Sequence, residues 1–442
     1  MNKEVIIIGG GVAGLSAGIA AVQHDIRPII LERNRYLGGR VRSFHATDLQ
    51  RTLDNGQHLI SAAYHQTIAY LRTVGSLDKI HFQKKLQVDF VRQPEQQFLF
   101  QSCFLPSPLH FLLPLLIHKK LAKVKFGKLV EFVQKSRQVK PAQLRKMTVS
   151  EWLKFCGQEN NLITLLYQPL TFSILNTPVE EASAYLLCRA MEDSFLHSFK
   201  GARLGIPKDW LGEIFVKPAE EFIQKHGGSI YRLNAVSKFI QEGDRISSVI
   251  SNKQPFDSPW IINTTPPHAL ASVLRESGIR QLNQIQSDLT GFSYHPILTA
   301  NIFLKEALPV RFPAAVLDSP IQWIFPHPRN DGQREEFGYA LVTSAADELA
   351  AKPASDIISV VEKELARVLG VSGRIIDYKI IKEKRATIAQ TPEALQWRQL
   401  PETAISNFFL AGDWTDTDLP ATIEGAILSG RRALELVLKN MG

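Results

Sequence analysis

Near its start the chain carries Val5-Ile6-Ile7-Ile8, an unbroken apolar, β-branched run directly ahead of three glycines. A run without apolar/polar alternation predicts a strand buried on both faces of a parallel sheet. Gly9-Gly10-Gly11 turns the chain, and the small residues from Val12 to Gln23 predict a helix. Pro28-Ile29-Ile30-Leu31-Glu32 predicts the next buried strand, which completes a βαβ unit. Amphipathic spacing predicts helices over 109–136, 149–155, 182–195, 354–369 and 423–438. Strands are expected at Gly227-Gly228-Ser229-Ile230, over 236–250 around the Gly243-Asp244 turn, at Trp260-Ile261-Ile262-Asn263, and at Phe408-Phe409-Leu410-Ala411 ahead of Gly412-Asp413. No internal repeat or low-complexity linker interrupts this series.

Gly9, Gly11 and Gly14 form G-x-G-x-x-G between the first strand and the first helix. The first glycine permits the tight turn, the second lets backbone approach a pyrophosphate, and the third lets helix and strand pack closely. Glu32 closes the second strand eighteen residues after Gly14, where a ribose hydroxyl needs an acceptor. A glycine fingerprint flanked by strand, helix and a timed acid points to dinucleotide binding. Nucleotide-type elements recur at the far end of the chain, with helical material between. The expected fold class is therefore α/β: a discontinuous Rossmann-type domain over 1–80, 205–268 and 376–442, with an inserted α+β substrate domain over 81–204 and 269–375.

Charge and cysteines narrow the setting. The 442 residues carry a net charge of +8, with 45% hydrophobic and 21% charged residues, which excludes a disordered or fibrous chain. The excess is local, since His118 to Lys146 holds ten Lys or Arg and one acid, Glu131. Aromatics do not interleave that cluster, so nucleic-acid binding is not expected. Three cysteines (Cys103, Cys156 and Cys188) without a C-x-x-C pair argue against a disulfide framework or a thiolate metal site, and no metal ligand set stands out. A reducing cytoplasm is the expected compartment, with no secretory signal and no spanning segment. The longest apolar stretch, from Phe104 to Ile117, is broken by Pro106, Pro108, His110 and Pro114.

Beyond Glu32 the chain reads Arg33-Asn34-Arg35-Tyr36-Leu37-Gly38-Gly39-Arg40-Val41. This resembles the amine oxidase and phytoene desaturase superfamily of FAD enzymes. There the paired glycines and the arginine line the FAD pyrophosphate. Far downstream, Phe409-Leu410-Ala411-Gly412-Asp413 is similar to that superfamily's C-terminal motif, whose aspartate binds the ribityl chain. Glu424-Gly425-Ala426 with Ser429-Gly430 resembles its last helix beside the isoalloxazine. Leu53-Asp54-Asn55-Gly56-Gln57-His58, Leu175-Asn176-Thr177-Pro178 with Glu181-Ala182-Ser183-Ala184, and Leu419-Pro420-Ala421-Thr422-Ile423 look like the squalene-associated FAD-dependent desaturases, the hydroxysqualene dehydroxylases. Leu204-Gly205-Ile206-Pro207 leading to Pro218-Ala219 and Gly227-Gly228 is also similar. The resemblance spans nearly the whole chain. Asp416-Thr417-Asp418 is more acidic than the family pattern, and the Asp193 region matches loosely.

The resemblance implies non-covalent FAD held by Gly9, Gly11, Gly14, Glu32, Arg33, Gly38, Gly39, Arg40, Val236, Gly412, Asp413, Thr422 and Ile423. It implies reductive dehydroxylation of hydroxysqualene to squalene, in hopanoid and isoprenoid biosynthesis. An acid must protonate the departing hydroxyl, and the hard step belongs to the cofactor. Asp54, Asp193 and Glu424 are the candidate acids, with His58 as a donor. Each also has a structural reading: a turn, a solvated helix face, and a helix cap respectively. Two rival activities share the fold. A phytoene-type desaturase runs hydride transfer toward the flavin; an amine oxidase needs an aromatic where Leu419, Pro420 and Ala421 stand. A flavin-binding module without turnover is the non-enzyme alternative. The expected partners are a long-chain isoprenoid, an anionic membrane surface and upstream squalene-synthase-like enzymes. The apolar run at 104–117 beside the basic window suits a segment lying on the inner face of the cell membrane, although a core-packed helix with a solvated lysine face fits as well.

Overall fold

The computed structural model describes residues 3–105, 109–110, 113–114, 126–196, 199–310, 313–328, 336–372 and 375–441. Its centre is a five-stranded parallel sheet in the order Ser229–Arg232, Arg27–Glu32, Glu4–Ile8, Ile261–Asn263, Phe408–Leu410. Alternate side chains of the central strand feed two separate cores, which explains its unbroken apolar run. Val5 and Ile7 join Ile30 and Ile262 beneath the first helix. Ile6 and Ile8 join Leu31 and Ile261 on the opposite face.

The first helix (Val12–Gln23) lies against the closing helix (Ile423–Met441) at backbone distance. A Cβ at Gly430 would stand 2.1 Å from the Ala13 carbonyl oxygen, and Ser16 Oγ donates to Ile427 O at 2.9 Å. Residues more than four hundred positions apart thus form one wall.

The second large sheet has seven strands in the order Asp377–Ile388, Tyr294–Leu304, Phe337–Thr343, Trp323–Pro326, Ala314–Val316, Gln87–Val91, Gln97–Gln101. Its pairs are antiparallel except Ala314–Val316 with Gln87–Val91. Helix Ala354–Leu369 buries Ile357, Val361, Leu365 and Val368 against Leu298, Ala300 and Ile302 of this sheet. A boundary at 376 therefore falls just before a strand that hydrogen-bonds to residues of the inserted segments. A third packing unit gathers helices Val149–Phe155, Gln168–Leu175 and Ala184–Met191 around Trp152.

Most expected elements form within a few residues of their anticipated bounds. Two differ. The helix expected over 182–195 starts later, because the Ser183 hydroxyl accepts from Leu186 N–H as its cap, and it widens into a π-type turn over Glu192–Leu196. The helix expected over 109–136 falls partly outside the described residues, with Phe126–Gln138 its longest described part.

Candidate active site

The turn after the first strand is shaped by sterics. At Gly14 a Cβ would lie 1.9 Å from the Gly9 carbonyl oxygen, so helix and turn close only on glycine. Above Gly11 a Cβ would meet nothing within 4 Å. Gly11 caps the first helix with no side-chain hydrogen bond and no acid in the first turn. The helix therefore offers unpaired N–H groups and the positive end of its dipole to open ground, which suits a pyrophosphate.

Gly38 closes the cradle from the side. Its N–H donates to Gly10 O at 2.8 Å, and it pairs with Gly11 in a parallel bridge. Gly38 and Gly39 both hold positive φ, +91° and +56°, which glycine adopts without strain. Glu32 lies buried beneath this turn, accepting from Gly10 N–H at 2.8 Å and from Asn34 N–H at 2.7 Å. The Glu32 and Asn34 carbonyls in turn accept from Asn234 and Leu233 N–H, which brings the start of the Val236–Glu242 strand to the same corner. Arg33 and Arg385 both stand near His268. Burial first, then these two arginines, pulls the His268 imidazole down to about 4.

The far end of the cradle comes from the other end of the chain. Arg40 Nη2 donates to Asp413 Oδ1 at 2.7 Å, and Arg40 Nη1 to Ala386 O at 2.7 Å. Burial works against the Arg40 charge, yet Asp413 holds the guanidinium above its ordinary value. Gly412, at φ +130°, donates its N–H to Ser429 Oγ at 2.8 Å, tying the Asp413 turn to the closing helix. Thr422 caps that helix, its hydroxyl accepting from Gly425 N–H at 3.3 Å, and Ile423 begins it. Two residues without a sequence motif complete this end. Buried Arg398 donates to the carbonyls of Asp413, Thr415 and Leu419, and buried Gln390 accepts from Ala421 N–H at 2.7 Å. Neither has a local signal, since their partners lie in other segments.

Beside the closing helix's N-terminus opens a cavity of about 540 Å³. Leu419, Pro420, Thr422 and Glu424 line one wall, and Ala190, Asp193 and Ser194 another. Two of the four acid–base candidates therefore share this space. Glu424 accepts from Gln66 N–H, Thr67 N–H and Thr67 Oγ1 at 2.7–2.8 Å. It caps helix His65–Thr73 rather than its own helix, a correction to the cap expected from its position. Burial raises its carboxyl above the ordinary value, and those donors oppose the rise.

The other two candidates lie elsewhere. Asp54 is fully buried and accepts from Ser43 Oγ at 2.5 Å and Leu211 N–H at 3.0 Å. Burial pushes it up to about 7, and it is absent from the cavity wall. His58 is pulled down to about 4 by burial and by Arg40, so it is a neutral imidazole at neutral pH.

The glycine turn, the distant Arg40–Asp413 closure and the adjoining cavity suit an FAD-dependent oxidoreductase. Residues 12–438 match the family of flavin containing amine oxidoreductases. The chain belongs to that family, and FAD is its cofactor. It is 27% identical to a hydroxysqualene dehydroxylase of Rhodopseudomonas palustris over 450 residues, covering 99% of both chains. A 15-cis-phytoene desaturase of an Oncidium hybrid is 23% identical, covering 99% of this chain and 78% of that one. The solved structure of an oxidoreductase from Methanosarcina mazei superposes with a TM-score of 0.75 at 13% identity, covering 98% of this chain and all of that one. That likeness carries the fold.

Proposed function

We propose that the protein reductively dehydroxylates hydroxysqualene to squalene. The supporting observation is a cavity that joins the closing helix's N-terminus to Asp193, in a chain similar over its full length to a protein named for that reaction. In this reading Gly9, Gly11, Gly14 and Gly38 to Arg40 hold the FAD pyrophosphate, and Glu32 holds the ribose. Arg33 and Val236 flank the adenosine end. Gly412 and Asp413 hold the ribityl chain, with Thr422 and Ile423 beside the ring; the flavin is non-covalent. The parallel-sheet unit carries the cofactor, and the cavity between the closing helix's N-terminus and the Ala190–Ser194 turn shelters the isoprenoid.

Reduced FAD supplies the hydride that replaces the departing hydroxyl. Asp193 donates the proton that lets this hydroxyl leave as water, with the allylic system spreading the positive charge. Glu424 keeps its place as the cap of helix His65–Thr73 and orients the wall. Asp54 and His58 are support residues, the first holding the 43–54 hairpin to Leu211 and the second standing beside Arg40. The test is anaerobic incubation of the reduced holoprotein with hydroxysqualene, followed by gas chromatography. Squalene formed together with flavin reoxidation is expected. Bleaching of oxidised protein by phytoene, with hydroxysqualene inert, selects the desaturase reading instead.

The substrate is nearly insoluble in water, and within the 104–117 run Phe104, Leu105, Leu109 and Leu113 are exposed, while His110 is buried. Phe104 is 69% exposed and Leu109 53%, with Lys85 Nζ 4.9 Å from the centre of the Phe104 ring. No helix of the described residues is long and apolar enough to cross a membrane. These residues suit contact with an anionic leaflet on the cytoplasmic side, near a squalene-synthase-like enzyme that forms the substrate. Sedimentation with anionic liposomes at low salt is the expected result; no binding at either low or high salt rejects it.

A further inference from the structure

Asp418 belongs to the acidic stretch that departs from the family pattern, and the structure gives it a task. It holds φ +66°, an uncommon backbone for a residue with a side chain. Its Oδ1 accepts from the Tyr185 hydroxyl, and Arg145 Nη2 stands 3.4 Å from the same oxygen. Its Oδ2 lies 3.4 Å from Arg189 Nε. The Arg145 guanidinium covers the Tyr185 ring at 4.1 Å, so the four side chains pack as one cluster.

The position matters more than the pairing. Asp418 directly precedes Leu419 and Pro420, which line one wall of the cavity. Arg189 directly precedes Ala190, which lines the other. Arg189 also reaches Glu192 at 2.9 Å and Asp193 at 4.0 Å, across the widened turn that brings Asp193 to the cavity. One carboxylate therefore ties the loop before the closing helix to the helix and turn carrying Asp193.

We infer that Asp418 is a positioning residue that latches the two walls together and so sets how tightly the isoprenoid is held. This rests on the proposed reaction for its substrate but not for its geometry. An ion pair this exposed is screened in isolation, whereas a network of two arginines, a tyrosine and a carboxylate restrains both segments at once. Asp418→Asn keeps a side chain that tolerates positive φ and still accepts from Tyr185, but it removes the charge both arginines use.

The experiment compares wild type, D418N, D418E and R189Q as holoproteins. D418N is expected to raise the KM for hydroxysqualene at least threefold with kcat within twofold and FAD content unchanged. R189Q, which breaks the same tie from the other side, is expected to raise KM likewise, and D418E, at a φ of +66° that suits Asp and Asn better than Glu, to fall between D418N and wild type. An unchanged KM in D418N and R189Q overturns the latch, as does loss of kcat and FAD content without a change in KM. Hydrogen exchange tests the latch without substrate, with faster exchange expected over 184–196 and 416–423 in D418N and none over 261–263. Equal exchange in wild type and D418N overturns it. A wild type inert toward hydroxysqualene but showing the exchange difference removes the proposed reaction and leaves the latch standing.

Discussion

The nucleotide cradle and the neighbouring cavity are built on different physical terms. In the cradle, backbone touches backbone: Gly14 against Gly9, Gly430 against Ala13, Gly38 against Gly10. Around the cavity, side chains from separate segments reach one another through charge and hydrogen bonds, as with Glu424 and Thr67 or Asp418 and Arg189. At Gly14 and Gly430 the first kind of contact tolerates no added atom, because a Cβ would stand 1.9 and 2.1 Å from a carbonyl oxygen. The second kind can loosen by degrees. The proposed cofactor seat is therefore rigid, and the walls of the cavity are open to adjustment.

The largest test of this contrast is Gly14→Ala. The added methyl collides with the Gly9 carbonyl, so the variant is expected to purify without flavin or to fail to fold, read from flavin absorbance per chain.

Asp54 probes the support of the cradle through pH. Its buried carboxyl titrates near 7 in the folded chain against about 4 unfolded, so the native state binds the extra proton between those values. Its contribution is full below about pH 4 and is lost as pH rises through about 7, by about 4 kcal/mol at most. Urea midpoints of wild type should fall over that window relative to D54N, which carries no such titration. Parallel curves for the two proteins would reject a raised Asp54.

On the cavity side the expected effects are smaller. Glu424→Gln leaves helix His65–Thr73 with a neutral cap and should cost about 1–2 kcal/mol of stability by thermal melting. Asp193→Asn should leave stability by thermal melting within about 1 kcal/mol of wild type, while removing most squalene formation. The reverse pattern, with E424Q inactive and D193N active, transfers the proton to Glu424. Smallest of all, Lys85→Ala should weaken liposome binding by about 1 kcal/mol at low salt and by less at high salt.

The parts of the fold that could be read from residue order are those with local causes. The run Val5 to Ile8, the fingerprint after it and helix Ala354–Leu369 each declare themselves within a few residues. Strands Tyr294–Leu304 and Asp377–Ile388 did not. The first is buried along most of its length, so its pattern lacks alternation, and the second mixes Lys, Arg and Glu into a strand beside it. Their shared ladder supplies what neither sequence announces.

The same division governs the site. Glycine spacing, with its flanking strand and helix and Glu32, was enough to predict a dinucleotide turn, because backbone sterics act between neighbours and leave a readable interval. That Arg40 would meet Asp413, that Glu424 would cap a helix beginning at His65, and that Asp193 rather than Asp54 would face the cavity were decided only by folding. A charge carries no record of its partner's position along the chain, and only packing brings the two within reach.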